Sequence, residues 1–244
     1  MAGALGTVCA GAAPKTFTYS RTIGPYSTSQ CGDFSVPNTA SFATNTTATT
    51  GSSSLSLAVH VVCNQRSGAL TMGFWRNKNG QAIITSGAAT KTVCNSGTWL
   101  RQYAPFQDLS SKATCSDVAA YAATVFGTAT AAGSSMNPML KAQMLATALD
   151  VYFSDSALGG NKISAPTPIG SLTVDLTNVC GSGGSCNASG AFGGASQLTV
   201  AQMLSFASSL SNAGGSIWYA NVKSTQELAK TAFDAIKNQV AFLI

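Results

Sequence analysis

The residues best suited to chemistry in this chain are seven cysteines, Cys9, Cys31, Cys63, Cys94, Cys115, Cys180 and Cys186, with a single histidine, His60. One imidazole and dispersed thiols do not make a conventional Cys/His zinc site, so disulfide formation is the better reading. Cys180 and Cys186 bracket Gly-Ser-Gly-Gly-Ser, a loop with little reason to be held except by a bridge, and Cys94 with Cys115 brackets one irregular stretch. Cys9, Cys31 and Cys63 then share one further bridge, with Cys31–Cys63 the candidate pair, and one thiol is left over.

A catalytic reading has little to build on. A Ser-His-Asp triad would have to form around His60, which sits in an alternating Ser/Leu run. A glycosidase-type carboxylate pair would need distant members such as Asp108, Asp150, Asp155 and Asp175, and nothing pairs them. Gly-x-Ser-x-Gly, phosphate-loop and His-Glu-x-x-His patterns are missing from the sequence. The single glutamate, Glu227, reads as a helix cap, and Asp117 as a first-turn acid favoured by the helix dipole. The sequence therefore predicts no catalytic residue, no metal and no cofactor. The stretch Gly73-Phe74-Trp75-Arg76-Asn77-Lys78-Asn79-Gly80-Gln81 is the most distinctive. It reads in two ways. Trp75 is a stacking platform for sugar rings with Asn77, Asn79 and Gln81 as hydrogen-bonding neighbours around an Asn-Gly turn, or Phe74 and Trp75 are core anchors; burial of so much aromatic area favours the second.

Composition narrows the partners. Only 9% of the 244 residues are charged, and the net charge of +5 is spread thinly without a run of three basic residues, which argues against nucleic acid and anionic lipid. Hydrophobic residues at 45% can supply a sizeable core, yet no stretch is long enough to span a bilayer. The apolar beginning of the chain lacks a basic n-region, so the sequence reads as a mature form or a fragment. Asn45-Thr46-Thr47 and Asn187-Ala188-Ser189 match the N-glycosylation triplet, a weak signal in a chain this rich in Asn, Ser and Thr.

The elements that must position these residues change character near Ala69. From Lys15 to Cys63 the pattern has period two: Phe17, Tyr19 and Ile23 share a face, and Leu55, Leu57, Val59, Val61 and Cys63 alternate with small or polar residues. Beyond it, helical periods take over. Asn137-Pro138 opens a helix with Leu140, Met144, Ala148 and Val151 on one face. Thr199-x-x-Gln202 and Ser224-x-x-Glu227 match the capping box, and a shorter helix starts after Ser116. The expected fold class is α+β: an incomplete immunoglobulin-like β-sandwich over 1–68, then a mostly α-helical module over 69–244 with a long Gly/Ser/Cys loop at 155–196 that holds one strand-like run, Leu172–Leu176. With three to five strand candidates against the roughly seven of an immunoglobulin domain, a sheet edge needs a partner strand, and the apolar Ala4–Ala13 segment is one candidate for donation.

The run Leu70-Thr71-Met72-Gly73-Phe74-Trp75-Arg76-Asn77-Lys78-Asn79-Gly80-Gln81 resembles the "T-x-G-[FY]-W-[KR]-N" signature of a module found in secreted and cell-surface bacterial proteins of unassigned function. Met139 to Val151 is similar to that module's later "M-L-x-A-Q-L-x-A-x-x-L-N-V" helix. The last helix, with Ala229, Ala232, Ala235 and Asn238, looks like its C-terminal helix, and Pro37–Phe42 resembles "N-T-A" segments of immunoglobulin-like repeats that precede it. The likeness spans roughly 60–75% of the chain and brings no catalytic residues. Asn77-Lys78 departs from the usual Asn-His, and the loop at 180–196 is longer. What the resemblance and the cysteines imply together is a secreted or cell-surface protein. Three functions follow as expectations: a structural protein that assembles with other copies of itself, a glycan-binding or adhesive module using Trp75, Tyr103 or Trp218, and, least favoured, a secreted hydrolase.

Overall fold

The computed structural model describes residues 3–24, 32–61, 67–129, 136–180, 186–238 and 242, apart from the side chains of Ala10 and His60. The fold is mixed α+β, with seven α-helices and small antiparallel sheets among the described residues. The chain divides into two compact units, Met1–Cys63 and Asn64–Ile244.

In the first unit, β1 (Gly32–Ala43) and β2 (Thr50–Val61) form one antiparallel hairpin whose register runs unbroken from Gly32 opposite Val61 to Ala43 opposite Thr50. Alternation of side chains across a strand puts Phe34, Val36 and Phe42 on the same face as Leu55, Leu57, Val59 and Val61, while Ser35, Thr39, Ser41, Ser52, Ser54 and Ser56 take the other. At the distal end the Phe42 ring lies on Gly51, directly opposite, where an added Cβ would come within 2.4 Å of it; glycine is needed there for the ring to lie flat. Among the described residues of this unit the hairpin is the one sheet, so one amphipathic layer is present where a sandwich has two. Residues 3–24 hold only a single 3-10 turn, Ala10–Ala12, and Tyr19 donates its hydroxyl hydrogen to Asn38 of β1.

The second unit begins with two short helices, α1 (Met72–Arg76) and α2 (Lys78–Thr85), then a minimal hairpin of β3 (Ala89–Thr90) and β4 (Val93–Cys94). α3 (Asn95–Leu100) and α4 (Cys115–Ala129) lead to the central α5 (Asn137–Ser154). The chain returns through β5 (Thr173–Asp175), paired with β6 (Gln197–Thr199), to α6 (Val200–Ser209) and α7 (Lys223–Lys237). α5 packs against α4 and α7 and touches α1, α3 and α6. Its sequence periodicity shows one apolar face, but the structure buries almost the whole circumference because Ala142 and Ala146 let neighbours approach on the remaining sides. The segment 155–196 contributes Ile169, Val174, Leu176, Ala191 and Phe192 to this core, and its strand-like run forms β5.

Two helix starts differ from the sequence reading. Asn137 is the first helical residue after the cap Met136, and its side chain turns inward to donate to Ser216 O at 2.8 Å and accept from Gln226 Nε2 at 2.7 Å. α7 starts at Lys223, so Ser224 falls inside the first turn and caps nothing. The Thr199 capping box forms, with its hydroxyl accepting from Gln202 N and Gln202 Oε1 accepting from Thr199 N.

Sulfurs of Cys94 and Cys115 lie at disulfide distance, as do those of Cys180 and Cys186, while Cys9 is exposed and unbridged. Cys31 and Cys63 lie outside the described residues. The Cys94–Cys115 bridge ties β4 to the start of α4 across a sequence separation of 21. Chain-entropy arguments give such a loop about 3 kcal/mol of stabilisation. Replacing both cysteines with serine should therefore lower the unfolding free energy of the second unit by that amount, seen as a lower denaturant midpoint at unchanged slope, without changing its far-ultraviolet circular dichroism; an unchanged midpoint would mean the bridge is not formed in solution.

Candidate functional site

The densest polar chemistry is buried along α5, between its contact with the start of the second unit and its contact with α7. Asp150 sits two-thirds of the way along an otherwise apolar run of α5, and its Oδ1 accepts from the backbone N of Leu70 at 3.0 Å and from Trp75 Nε1 at 2.9 Å. Its Oδ2 has no hydrogen-bond partner among the described residues. Lys237, at the end of α7, is also buried; its Nζ reaches Gln143 O at 3.4 Å, and Gln143 Nε2 donates to Asp234 Oδ1 at 3.0 Å. Burial pushes the Asp150 carboxyl well above the usual carboxylate range, against the Leu70 and Trp75 hydrogen bonds and the charge of Lys237.

Burial likewise holds the Lys237 ammonium down to about 8, although Asp234 and Asp150 pull it up. The folded-state value lies below the ordinary 10.5, so between about pH 8 and 10.5 the unfolded chain binds the extra proton and the fold gains stability as pH rises. That contribution is lost again as pH falls through about 8. At about 1.4 kcal/mol per pH unit the effect is on the order of 3 kcal/mol. Thermal unfolding across this window should show the rise in the native protein and a flatter profile in Lys237→Met; parallel profiles would remove Lys237 as its source.

This centre holds the distinctive aromatic stretch in the core. Trp75 is 0% exposed, with its ring against Phe74 at 5.5 Å and Phe153 at 5.6 Å between centroids. No face of that indole is open to a sugar. Asn77 caps α2 by accepting from the backbone N of Asn79 and Gly80, and Gln81 Nε2 donates to Trp75 O at 2.8 Å. Asn79 is exposed in the first turn of α2. Asn79-Gly80 is accordingly helical and not a turn. Gly80 is required because an added Cβ would stand 2.4 Å from Phe74 O and 2.5 Å from the Cα of Trp75, where α2 crosses α1. Trp218 is fully buried with Nε1 donating to Ala207 O, and Tyr103 is buried enough that its hydroxyl is pushed up to about 12.

The aspartates named as possible acids have local duties. Asp108 accepts from Tyr121 Oη at 2.7 Å and Lys141 Nζ at 2.6 Å; Asp155 accepts from the N of Ala157 just beyond α5; Asp175 accepts from Thr177 and Asn178 in a tight turn. His60 takes its place in β2, and its side chain lies outside the described set. Among the described residues no cluster of three His, Cys, Asp or Glu could hold a metal ion, and no helix is long and apolar enough to cross a membrane.

No protein-family model, curated protein or solved structure matches this chain. Function has to be read from the surfaces themselves, and the surface least explained by the fold is the hairpin of the first unit. Phe42 is 61% exposed, Leu55 76% and Leu57 55%, all on one face. A shallower apolar hollow on the second unit, lined by Leu198, Ala201, Gln202, Ser205 and Phe206, is open and carries one amide and one hydroxyl. The sequence pattern showed the Leu55–Val59 alternation but could not show that its apolar side faces solvent. Lys237 had no signal of its own, whereas Asp150, a lone acid in Met144–Phe153, did.

Proposed function

We propose that the protein is an extracellular structural or surface module that associates with other copies of itself through the β1–β2 hairpin. The observation that carries the reading is the exposure of Phe42, Leu55 and Leu57 on a single sheet face. Large apolar side chains left exposed on one sheet face mark association sites, and an isolated two-stranded hairpin is marginal in water until a further strand or layer covers it. The N-terminal unit is in this reading half of an immunoglobulin-like sandwich, with the missing layer or strand supplied by another copy. Placement outside the cell is supported by two cysteine pairs at disulfide distance, by the scarcity of charge, and by the resemblance of the 70–81 segment to secreted bacterial modules.

The buried Asp150–Trp75 contact serves the scaffold in this account, holding the beginning of the second unit to α5. Burial of the Trp75, Tyr103 and Trp218 rings leaves the glycan reading without a platform among the residues named for it. Electron microscopy of the oxidised full chain tests the assembly reading: discrete oligomers, sheets or filaments are expected, and dispersed single chains at high protein concentration would overturn it.

A further inference from the structure

The hairpin has two outer edges, and its register tells them apart. Thr44 N donates to Thr49 O, and the positions of that pair continue the β1–β2 register. In an unbroken antiparallel ladder, pairs that exchange hydrogen bonds alternate with pairs that do not. Even-numbered residues of β1 and odd-numbered residues of β2 therefore bond within the hairpin. The backbone groups of odd-numbered β1 residues and of even-numbered β2 residues point outward.

On β1 the outward set includes Pro37, which has no N–H to offer. This explains how a proline sits mid-strand without breaking a ladder bond, and it leaves a gap in that edge for any incoming strand. β1 also carries the charged Asp33. On β2 the outward set includes Thr50, Ser52, Ser54, Ser56 and Ala58, with no proline and no Asp, Glu, Lys or Arg anywhere in the strand. None of the charge or proline features that guard edge strands is present. Among the described residues no other strand pairs with it.

Resting on the self-association reading above, we infer that the edge used is the outer edge of β2, and that its occupant is β2 of a second copy, antiparallel about a two-fold axis. An uncharged strand meets itself without like-charge repulsion, and a register centred on Ser56 sets Leu55 of each copy opposite Leu57 of the other, the two most exposed leucines of the sheet. Even-numbered residues then face even-numbered residues, as the outward backbone groups require. The product is a four-stranded sheet of order β1-β2-β2-β1 whose outermost edges both carry Pro37. Such a contact is isologous and closes.

The edges can be tested with a matched pair of substitutions in the full chain. Thr39 and Ser54 stand opposite one another, both have outward N–H groups, and they share one side-chain hydrogen bond of 2.8 Å, so Thr39→Pro and Ser54→Pro cost the hairpin the same contact. Light scattering should show Ser54→Pro as a monomer at concentrations where native protein and Thr39→Pro remain associated. Residue-resolved hydrogen exchange of the native protein supplies the reading should either variant misfold: amides of Ser54, Ser56 and Ala58 should gain protection on association, and those of Ser35, Thr39 and Ser41 should not. Loss of association in Thr39→Pro alone, association unaffected by either proline, or protection on the β1 side would overturn the edge assignment while leaving self-association standing. A native protein that never associates would remove the functional reading itself.

Discussion

Asp150→Ala should destabilise the second unit by about 2–5 kcal/mol. The change strips one acceptor from two buried donors at once, the N–H of Leu70 and Nε1 of Trp75. Each unsatisfied buried donor costs about 1–3 kcal/mol. Asp150→Asn keeps an amide oxygen that still accepts from both donors, so it should cost clearly less. Chemical denaturation monitored by tryptophan fluorescence reads both variants. An Asp150→Ala protein within 1 kcal/mol of the native one, by this order-of-magnitude scale, would mean the centre is not what docks residues 69–76.

Leu55→Ser combined with Leu57→Ser should weaken self-association by roughly a thousandfold, with little effect on the stability of the second unit. The two leucines are exposed in the single chain, so the fold gives up little when they are shortened. At about 1 kcal/mol for each leucine in each copy, a symmetric contact loses about 4 kcal/mol. The dissociation constant of the double variant against that of the native protein checks this, and equal constants would place the contact elsewhere on the molecule.

How far the sequence reaches is best seen residue by residue. Local signals translate well: Thr199 and Gln202 form the capping box their spacing predicts, the two C-terminal cysteines meet across their short loop, and the alternation around Leu57 makes a strand. Each of these depends on neighbours a few positions away. Failures come where distant residues decide. Asn137 has the side chain of an N-cap, but Gln226 and the Ser216 carbonyl compete for it and win. Asn79-Gly80 has the composition of a turn, yet the glycine is present for the backbone of Phe74 and Trp75, which it meets inside a helix. Lys237 looks like any last-turn lysine until α7 packs on α5. The hairpin is the reverse case. Its amphipathic pattern normally implies a buried face, and what the structure adds is that Phe42, Leu55 and Leu57 are left uncovered.

That uncovered face is where the functional account stands or falls, and sedimentation velocity of the oxidised native chain over a wide concentration range addresses it most directly. The account expects a sedimentation coefficient that rises with concentration toward an oligomer and falls back in the Leu55→Ser/Leu57→Ser protein. A single monomer coefficient at every concentration, unchanged by those substitutions, would contradict it.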